Sequence, residues 1–311
     1  MPQRAYKAVF FDLDGTLLPV DMDGFLKAYF QALGKYAAEH GYDPKTFTDA
    51  INKGVRAMIT EEGGRNDERF WRTFCAIMGN ERNTYEQLID DFYNGAFDEL
   101  GTLITPTPES AQVLKVLKEK GYRLYLTTMP LFPRVAVEKR VQWAGCDPRV
   151  FERITTYDNS TSTKPHLEYY RENVEAIGLK PEEILMVGNN TREDLAAMKL
   201  GLDGYLVTDW LLNPDDFDIE TVKHGSMSDF LQFVKALPEC ENGEQVKRSA
   251  ISDEQVSQPA ALGEQGGQST TSCSESRGDQ DVMPDEQKEQ PMGLASAVTS
   301  ADYSNQSAGD R

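Results

Sequence analysis

The sequence predicts an α/β fold: a three-layer, doubly wound parallel sheet carrying an inserted all-helical segment. Three observations lead there. Ala8-Val-Phe-Phe11 is a short apolar run of the kind that forms a strand buried on both faces. From residue 21 to about 105 the apolar residues recur only at helical spacing, with no strand pattern between them. From residue 106 onward single helices alternate with short strands, which implies parallel pairing through crossover connections.

Within the helical segment, Phe25, Tyr29, Ala32 and Tyr36 make one stripe, closed by Gly41, and Phe47, Ala50, Ile51 and Met58 make a second. Phe70, Phe74, Ile77 and Met78 form a third, ended by Gly79; Tyr85, Leu88, Ile89 and Phe92 form a fourth, with Gly101 beyond. Thr107 then offers an N-cap followed by Pro108 at the first helical position, with Val113, Leu114 and Leu117 as the buried face. Strands are expected over 122–127, 152–155, 184–187 and 205–208, and helices over 133–144, 167–177 and 191–200. The core is therefore expected from 1–20 together with 106–238, and the helical insert from 21–105.

Composition narrows the function classes. Against 51 acidic residues stand 32 lysines and arginines, a net charge of −19, and phosphate backbones are held mainly by clustered cations, which argues against a nucleic-acid groove as the main surface. Cys75, Cys146, Cys240 and Cys273 lie far apart, which fits neither a zinc knuckle nor a disulfide framework and suits a reducing, cytoplasmic setting. No run approaches the roughly 18 apolar residues of a membrane span. The start is not expected to be a secretory signal, because Asp12 and Asp14 interrupt its apolar stretch. From 239 to 311 there are 14 acidic and 5 basic residues, with Tyr303 the one aromatic. Such a segment cannot offset the entropy of ordering, so it is expected to be a disordered acidic tail, with no protein partner identified for it.

Sheets of this type carry their chemistry beyond the carboxyl ends of the strands, and four groups of residues stand there. The first strand runs into Asp12-Leu-Asp14-Gly-Thr16. Residues two apart on an extended chain point the same way, so the carboxylates of Asp12 and Asp14 converge. One can attack phosphorus or bind a metal while the other moves a proton; the competing reading is an ordinary Asp-Gly turn. A calcium loop does not fit, because its pattern cannot be laid on Asp12 and Asp14 or on Asp21 and Asp23. The second strand ends at Thr127-Thr128, whose hydroxyls can hold phosphate oxygens or can simply reflect strand propensity. Lys164 precedes a helix, where it can oppose phosphate charge or stand as a plain loop lysine. The fourth strand ends in Gly188-Asn-Asn-Thr-Arg-Glu-Asp194, which offers oxygen ligands for Mg2+ and, in Thr191 with Asp194, a capping arrangement for the next helix.

Taken in order, Phe10-Phe-Asp-Leu-Asp-Gly-Thr-Leu17, Leu126-Thr127, Lys164-Pro165 and Val187-Gly-Asn-Asn-Thr-Arg-Glu-Asp194 resemble the four motifs of the haloacid dehalogenase (HAD) superfamily, over about residues 5–212. The resemblance implies a HAD-like Rossmannoid core with residues 21–105 as a helical C1-type cap. It implies a phosphoric monoester hydrolase acting on a small phosphorylated metabolite through an aspartyl-phosphate on Asp12. Asp14 would protonate the leaving oxygen and then deprotonate water. Thr127, helped by Thr128, would hold the phosphoryl oxygens, and Lys164 would offset charge. Mg2+ would be held by Asp12, the Asp14 backbone carbonyl and an oxygen of Asn189, Asn190 or Asp194. True dehalogenases of the superfamily lack an acid at the place of Asp14, so its presence points to a phosphatase. The physics is consistent, since a phosphate dianion approaching a carboxylate needs cations to cancel repulsion.

The last motif departs from the superfamily pattern, because the expected metal carboxylate falls on Asn190 or Asn189, depending on the alignment. An amide removes one negative charge, which is expected to weaken Mg2+ binding by about 1–3 kcal/mol. On that reading Asn190→Asp is expected to lower the Mg2+ requirement. In the cap, Lys53, Arg56, Arg65, Arg69 and Arg72 are candidates for anionic substrate groups, or else solvated helix faces, and Gly63-Gly64 is a candidate mobile loop over the site. Trp71, Trp143 and Trp210 read as core or rim packing. Two other functions remain open: a phospho-ligand- or partner-binding protein with little turnover, and a phosphosugar mutase sharing the same intermediate.

Overall fold

A computed structural model describes residues 5–240, so all but Glu239 and Cys240 of the expected acidic tail lies outside the described residues. Strand β1 (Ala8–Phe11) is fully buried. Four helices follow, α1 (Met22–Glu39), α2 (Pro44–Thr60), α3 (Asn66–Met78) and α4 (Arg82–Asn94), then a 3-10 segment (Ala96–Leu103). Their apolar stripes meet one another: Phe47, Phe74 and Phe92 are completely buried, and Phe70 stacks on Phe74. Each such side chain contributes roughly 1.5–3 kcal/mol by leaving water, enough in sum to hold the insert together. Gly79 closes α3 in the left-handed conformation that a residue without Cβ adopts freely.

The chain then alternates α5 (Pro108–Glu119), β2 (Arg123–Leu126), α6 (Arg134–Trp143), β3 (Arg153–Ile154), α7 (Leu167–Ile177), β4 (Ile184–Gly188), β5 (Asp203–Val207), β6 (Lys223–Gly225) and α8 (Met227–Ala236). All six strands are parallel, in the order β3-β2-β1-β4-β5-β6. Alternate strand residues face opposite layers. Val9, Phe11, Leu126 and Val187 join Val113, Val137, Phe230 and Val234 on one side. Phe10, Tyr125 and Met186 join Tyr169, Tyr170 and Val174 on the other. Strand order reverses direction between β1 and β4, the place where such sheets open a crevice. Phe11 stands level with Leu126 and Val187, so Asp12, Thr127 and Gly188 emerge side by side.

One local expectation needs correction. Residues 191–200 do not form an α-helix; turns run to Asp194 and a 3-10 segment covers Leu195–Leu200. Side chains have taken over the backbone bonds there: Asn190 Oδ1 accepts from the N–H groups of Arg192 and Glu193. Thr107 stands at the N-cap of α5 with Pro108 at the first helical position, as the sequence predicts, although its side chain makes no capping hydrogen bond. Beyond β5, the structure adds β6 and α8. Strand β6 is an edge of Lys-His-Gly with no apolar alternation to betray it, whereas α8 carries a Ser226/Asp229 capping box over Met227, Phe230, Leu231 and Val234. The chain remains docked as far as Cys240, which is buried and donates its N–H to the Lys120 carbonyl.

Candidate active site

The carboxyl end of β1 delivers Asp12 into a polar cluster assembled from distant parts of the chain. Lys164, from the loop before α7, is 2 % exposed, and its Nζ donates to Asp12 Oδ1 at 2.8 Å and to Asp194 Oδ1 at 2.7 Å. Burial works against the lysine's charge, but the carboxylates of Asp12 and Asp194 outweigh it and hold the pKa well above the ordinary lysine value. Burial raises the pKa of Asp194, against the pull of Lys164. Its second oxygen accepts from the Asn190 N–H at 2.9 Å, which fixes the carboxylate in place.

On the other side of Asp12, Thr16 Oγ1 stands 3.2 Å from Asp12 Oδ2 and 3.3 Å from Asn189 Oδ1. Asn189 Nδ2 donates to the Trp210 carbonyl at 2.6 Å, and this bond turns the amide oxygen toward the site. The approach is tight: Gly15 has φ +78°, and a Cβ there would fall 2.2 Å from Asn189 Nδ2. The two amides of the last motif are thereby distinguished. Asn189 faces the Asp12–Thr16 cluster, whereas the oxygen of Asn190 is occupied by local backbone N–H groups. The Thr191 hydroxyl bonds Asn213 rather than capping a helix.

Asp14 meets a partner that the sequence did not suggest. Arg140 of α6, 1 % exposed, donates from Nη1 to Asp14 Oδ2 at 2.5 Å, with its guanidinium over the Phe132 ring. Burial raises the Asp14 pKa, Arg140 pulls it back, and Asp12 adds to the rise. Asp14 Oδ1 and Arg140 Nη2 are buried without a hydrogen-bond partner. One signal was available: Arg140 lies on the same apolar face as Ala136 and Val137, where a charge needs a reason.

Of the two threonines, Thr127 turns its hydroxyl back to the Phe11 carbonyl at 3.3 Å, while Thr128 has a buried hydroxyl with no partner and lines the cavity. A hydroxyl left unsatisfied in a cavity that Asp12 also lines is suited to a ligand oxygen. The cavity at these groups is about 750 Å³, lined by Asp12, Asp14, Thr128, Asn189 and Asp194 and also by Leu26, Phe132 and Trp210.

Neither Lys53, Arg56, Arg65, Arg69 nor Arg72 lines that cavity. Arg69 is instead buried, donating to the carbonyls of Gly63, Gly64, Met58 and Thr161, and to Asn66 Oδ1. Asn66 reaches the carbonyls of Pro130 and Ser162. These bonds tie α3 and the Gly63-Gly64 turn to the segment that leads to Lys164.

For a cation, the donor set is oxygen only. Among the described residues no group of three or more His, Cys, Asp or Glu gathers. Asp12 Oδ2 and Asn189 Oδ1 share a single Thr16 proton, which leaves lone pairs for a hard ion. One or two carboxylates, a neutral carbonyl and water suit Mg2+, so the residues fit it.

A family model described as haloacid dehalogenase-like hydrolase matches residues 6–201. A glyceraldehyde 3-phosphate phosphatase of Methanothermobacter thermautotrophicus is 31 % identical over 216 residues, covering 69 % of this chain and 91 % of that protein. A pyrophosphatase, PpaX, of Bacillus pumilus is 26 % identical over 201 residues, covering 65 % of this chain and 82 % of that one. A crystal structure of a HAD phosphatase from Thermococcus onnurineus aligns with a TM-score of 0.48 at 17 % identity, over 75 % of this chain and 99 % of that one.

Proposed function

The chain belongs to the haloacid dehalogenase-like hydrolases, and from that premise we propose that it is a Mg2+-dependent phosphatase of small phosphorylated metabolites working through an aspartyl-phosphate. The observation that carries this reading is the buried Lys164 ammonium bonded to both Asp12 and Asp194. It keeps the Asp12 carboxylate oriented and offsets its charge against an incoming phosphate dianion.

An oxygen of Asp12 attacks phosphorus as the ester P–O bond breaks, and Asp14 gives its proton to the leaving oxygen. Asp14 then takes a proton from water, whose oxygen displaces inorganic phosphate from Asp12 and restores the carboxylate. Arg140 positions Asp14, and the Thr128 hydroxyl supports a phosphoryl oxygen. Asp12, the Asp14 carbonyl and Asn189 are the candidate ligands for Mg2+, with Asp194 anchoring Lys164. The bound ion would neutralise phosphoryl charge. The chemistry suits the cytoplasm, and no helix among the described residues is long and apolar enough to cross a membrane.

Hydrolysis of p-nitrophenyl phosphate with and without Mg2+ tests the proposal, with Asp12→Asn as control. Turnover that requires both Mg2+ and Asp12 is expected; turnover indifferent to Asp12 would overturn it. A second reading, a phospho-ligand-binding protein with little turnover, is favoured by one observation. The Trp210 carbonyl locks an amide at 189, where a carboxylate would bind Mg2+ more strongly. Phosphate binding without release of product from any phosphomonoester would establish that alternative.

A further inference from the structure

We infer that the preferred substrate is the phosphate ester of an uncharged, partly apolar alcohol, and that the site rejects substrates bearing a second anionic group. This rests on the phosphatase reading and adds the class of leaving group to it.

The cavity walls supply the first reason. Leu26, Leu131 and Phe132 give the cavity apolar lining, and so do Trp210 and Leu212, which are 43 % and 48 % exposed. Apolar surface held open beside a phosphate site is stabilised when a ligand's apolar part covers it.

The second reason is the placement of charge. Asp21 and Asp23, at the start of α1, and Asp209, after β5, line the same cavity, and all three are exposed. The cations that a second anion would need are already engaged. Lys164 is held by Asp12 and Asp194 beneath the floor, and Arg140 by Asp14. Arg192 lines the cavity, yet its guanidinium grips Asp215, donating from Nε to Oδ2 at 2.7 Å and from Nη2 to Oδ1. In the insert, Arg65 is paired with Asp67 and Arg72 with Glu61. A carboxylate or second phosphate on the leaving group would therefore face like charge that these engaged cations do not offset.

The experiment is a comparison of kcat/KM for the full chain in Mg2+. Phenyl phosphate and glycerol 1-phosphate represent uncharged leaving groups, phosphoglycolate and pyrophosphate anionic ones, and choline phosphate a cationic one. The two uncharged esters are expected to exceed both anionic substrates by roughly tenfold or more. The double variant Asp21→Asn/Asp23→Asn, at exposed positions outside the catalytic cluster, is expected to narrow that gap several-fold. Parity or preference for an anionic substrate, a gap unmoved by the double variant, or choline phosphate as the best substrate would overturn the inference while leaving a working phosphatase. Failure to hydrolyse any of the panel or p-nitrophenyl phosphate would instead overturn the phosphatase reading and this inference with it.

Discussion

Replacing Lys164 with Met removes the one cation that stands between two buried carboxylates. Asp12, Lys164 and Asp194 are 8 %, 2 % and 1 % exposed, and the ammonium makes hydrogen bonds of 2.8 Å and 2.7 Å to the two acids. The trio carries a net charge of −1; without the lysine it carries −2 in the same volume. Methionine preserves most of the volume, so the loss is electrostatic rather than a cavity. Breaking a buried pair by removing one partner costs about 3–5 kcal/mol, because the remaining charge is uncompensated. For a folded unit of this size each kcal/mol moves the melting temperature by about 2–4 °C, so Lys164→Met is expected to lower it by about 6–20 °C. Adding Asp194→Asn to that variant returns the net charge to −1 and is expected to recover about half of the loss without restoring turnover. Thermal and urea unfolding at pH 7.5, with phosphate release measured in parallel, provide the readouts. A Lys164→Met protein within about 1 kcal/mol of the parent, well below the cost of a broken buried pair, would refute the electrostatic account of the site.

Arg140→Met is expected to lower kcat at least tenfold with little change in KM, since it frees Asp14 to wander without touching the phosphate; an unchanged kcat would remove Arg140 from the site. Asn189→Asp is expected to lower the Mg2+ concentration for half-maximal turnover by about fivefold to thirtyfold, about 1–2 kcal/mol, while Asn190→Asp leaves it unchanged; magnesium titration of both variants decides, and the reverse pattern would reassign the ligand. Asp203 lies between Lys223 and Tyr6; burial alone would raise its pKa, but their hydrogen bonds more than compensate and lower it. A depressed pKa contributes stability above the ordinary carboxylate range that disappears as pH falls through the lowered value. Asp203→Asn is therefore expected to destabilise the protein near neutrality and to flatten the fall in stability on the acid side, as read by urea unfolding across pH; an acid limb as steep as the parent's would contradict this.

The layered sheet was readable because its signals are local and repeated. Ala8-Val-Phe-Phe11 reads as a doubly buried strand and is one, and the glycines at 79 and 178 close α3 and α7 in the left-handed conformation. The 191–200 stretch was misjudged because Asn190 supplied backbone bonds that periodicity cannot register. Arg69 of the helical insert is neither a substrate contact nor a solvated face, for a related reason: burial and five hydrogen bonds make it a strut between elements, a role set by packing and not by local sequence.

Asp12, Asp14 and the stretch 188–194 were identifiable from residue type and from their places at strand ends, and Lys164 from the loop beyond β3, because parallel sheets put every carboxyl end on one edge. Chain connectivity alone therefore fixed which groups could meet. Their partners were decided in three dimensions: Arg140 reaches Asp14 across 126 positions, and the Trp210 carbonyl selects the orientation of Asn189. Neither contact has a local signature, since a buried ion pair or a backbone carbonyl bond depends on how separate elements pack, and packing is set by shape and charge summed over the whole fold.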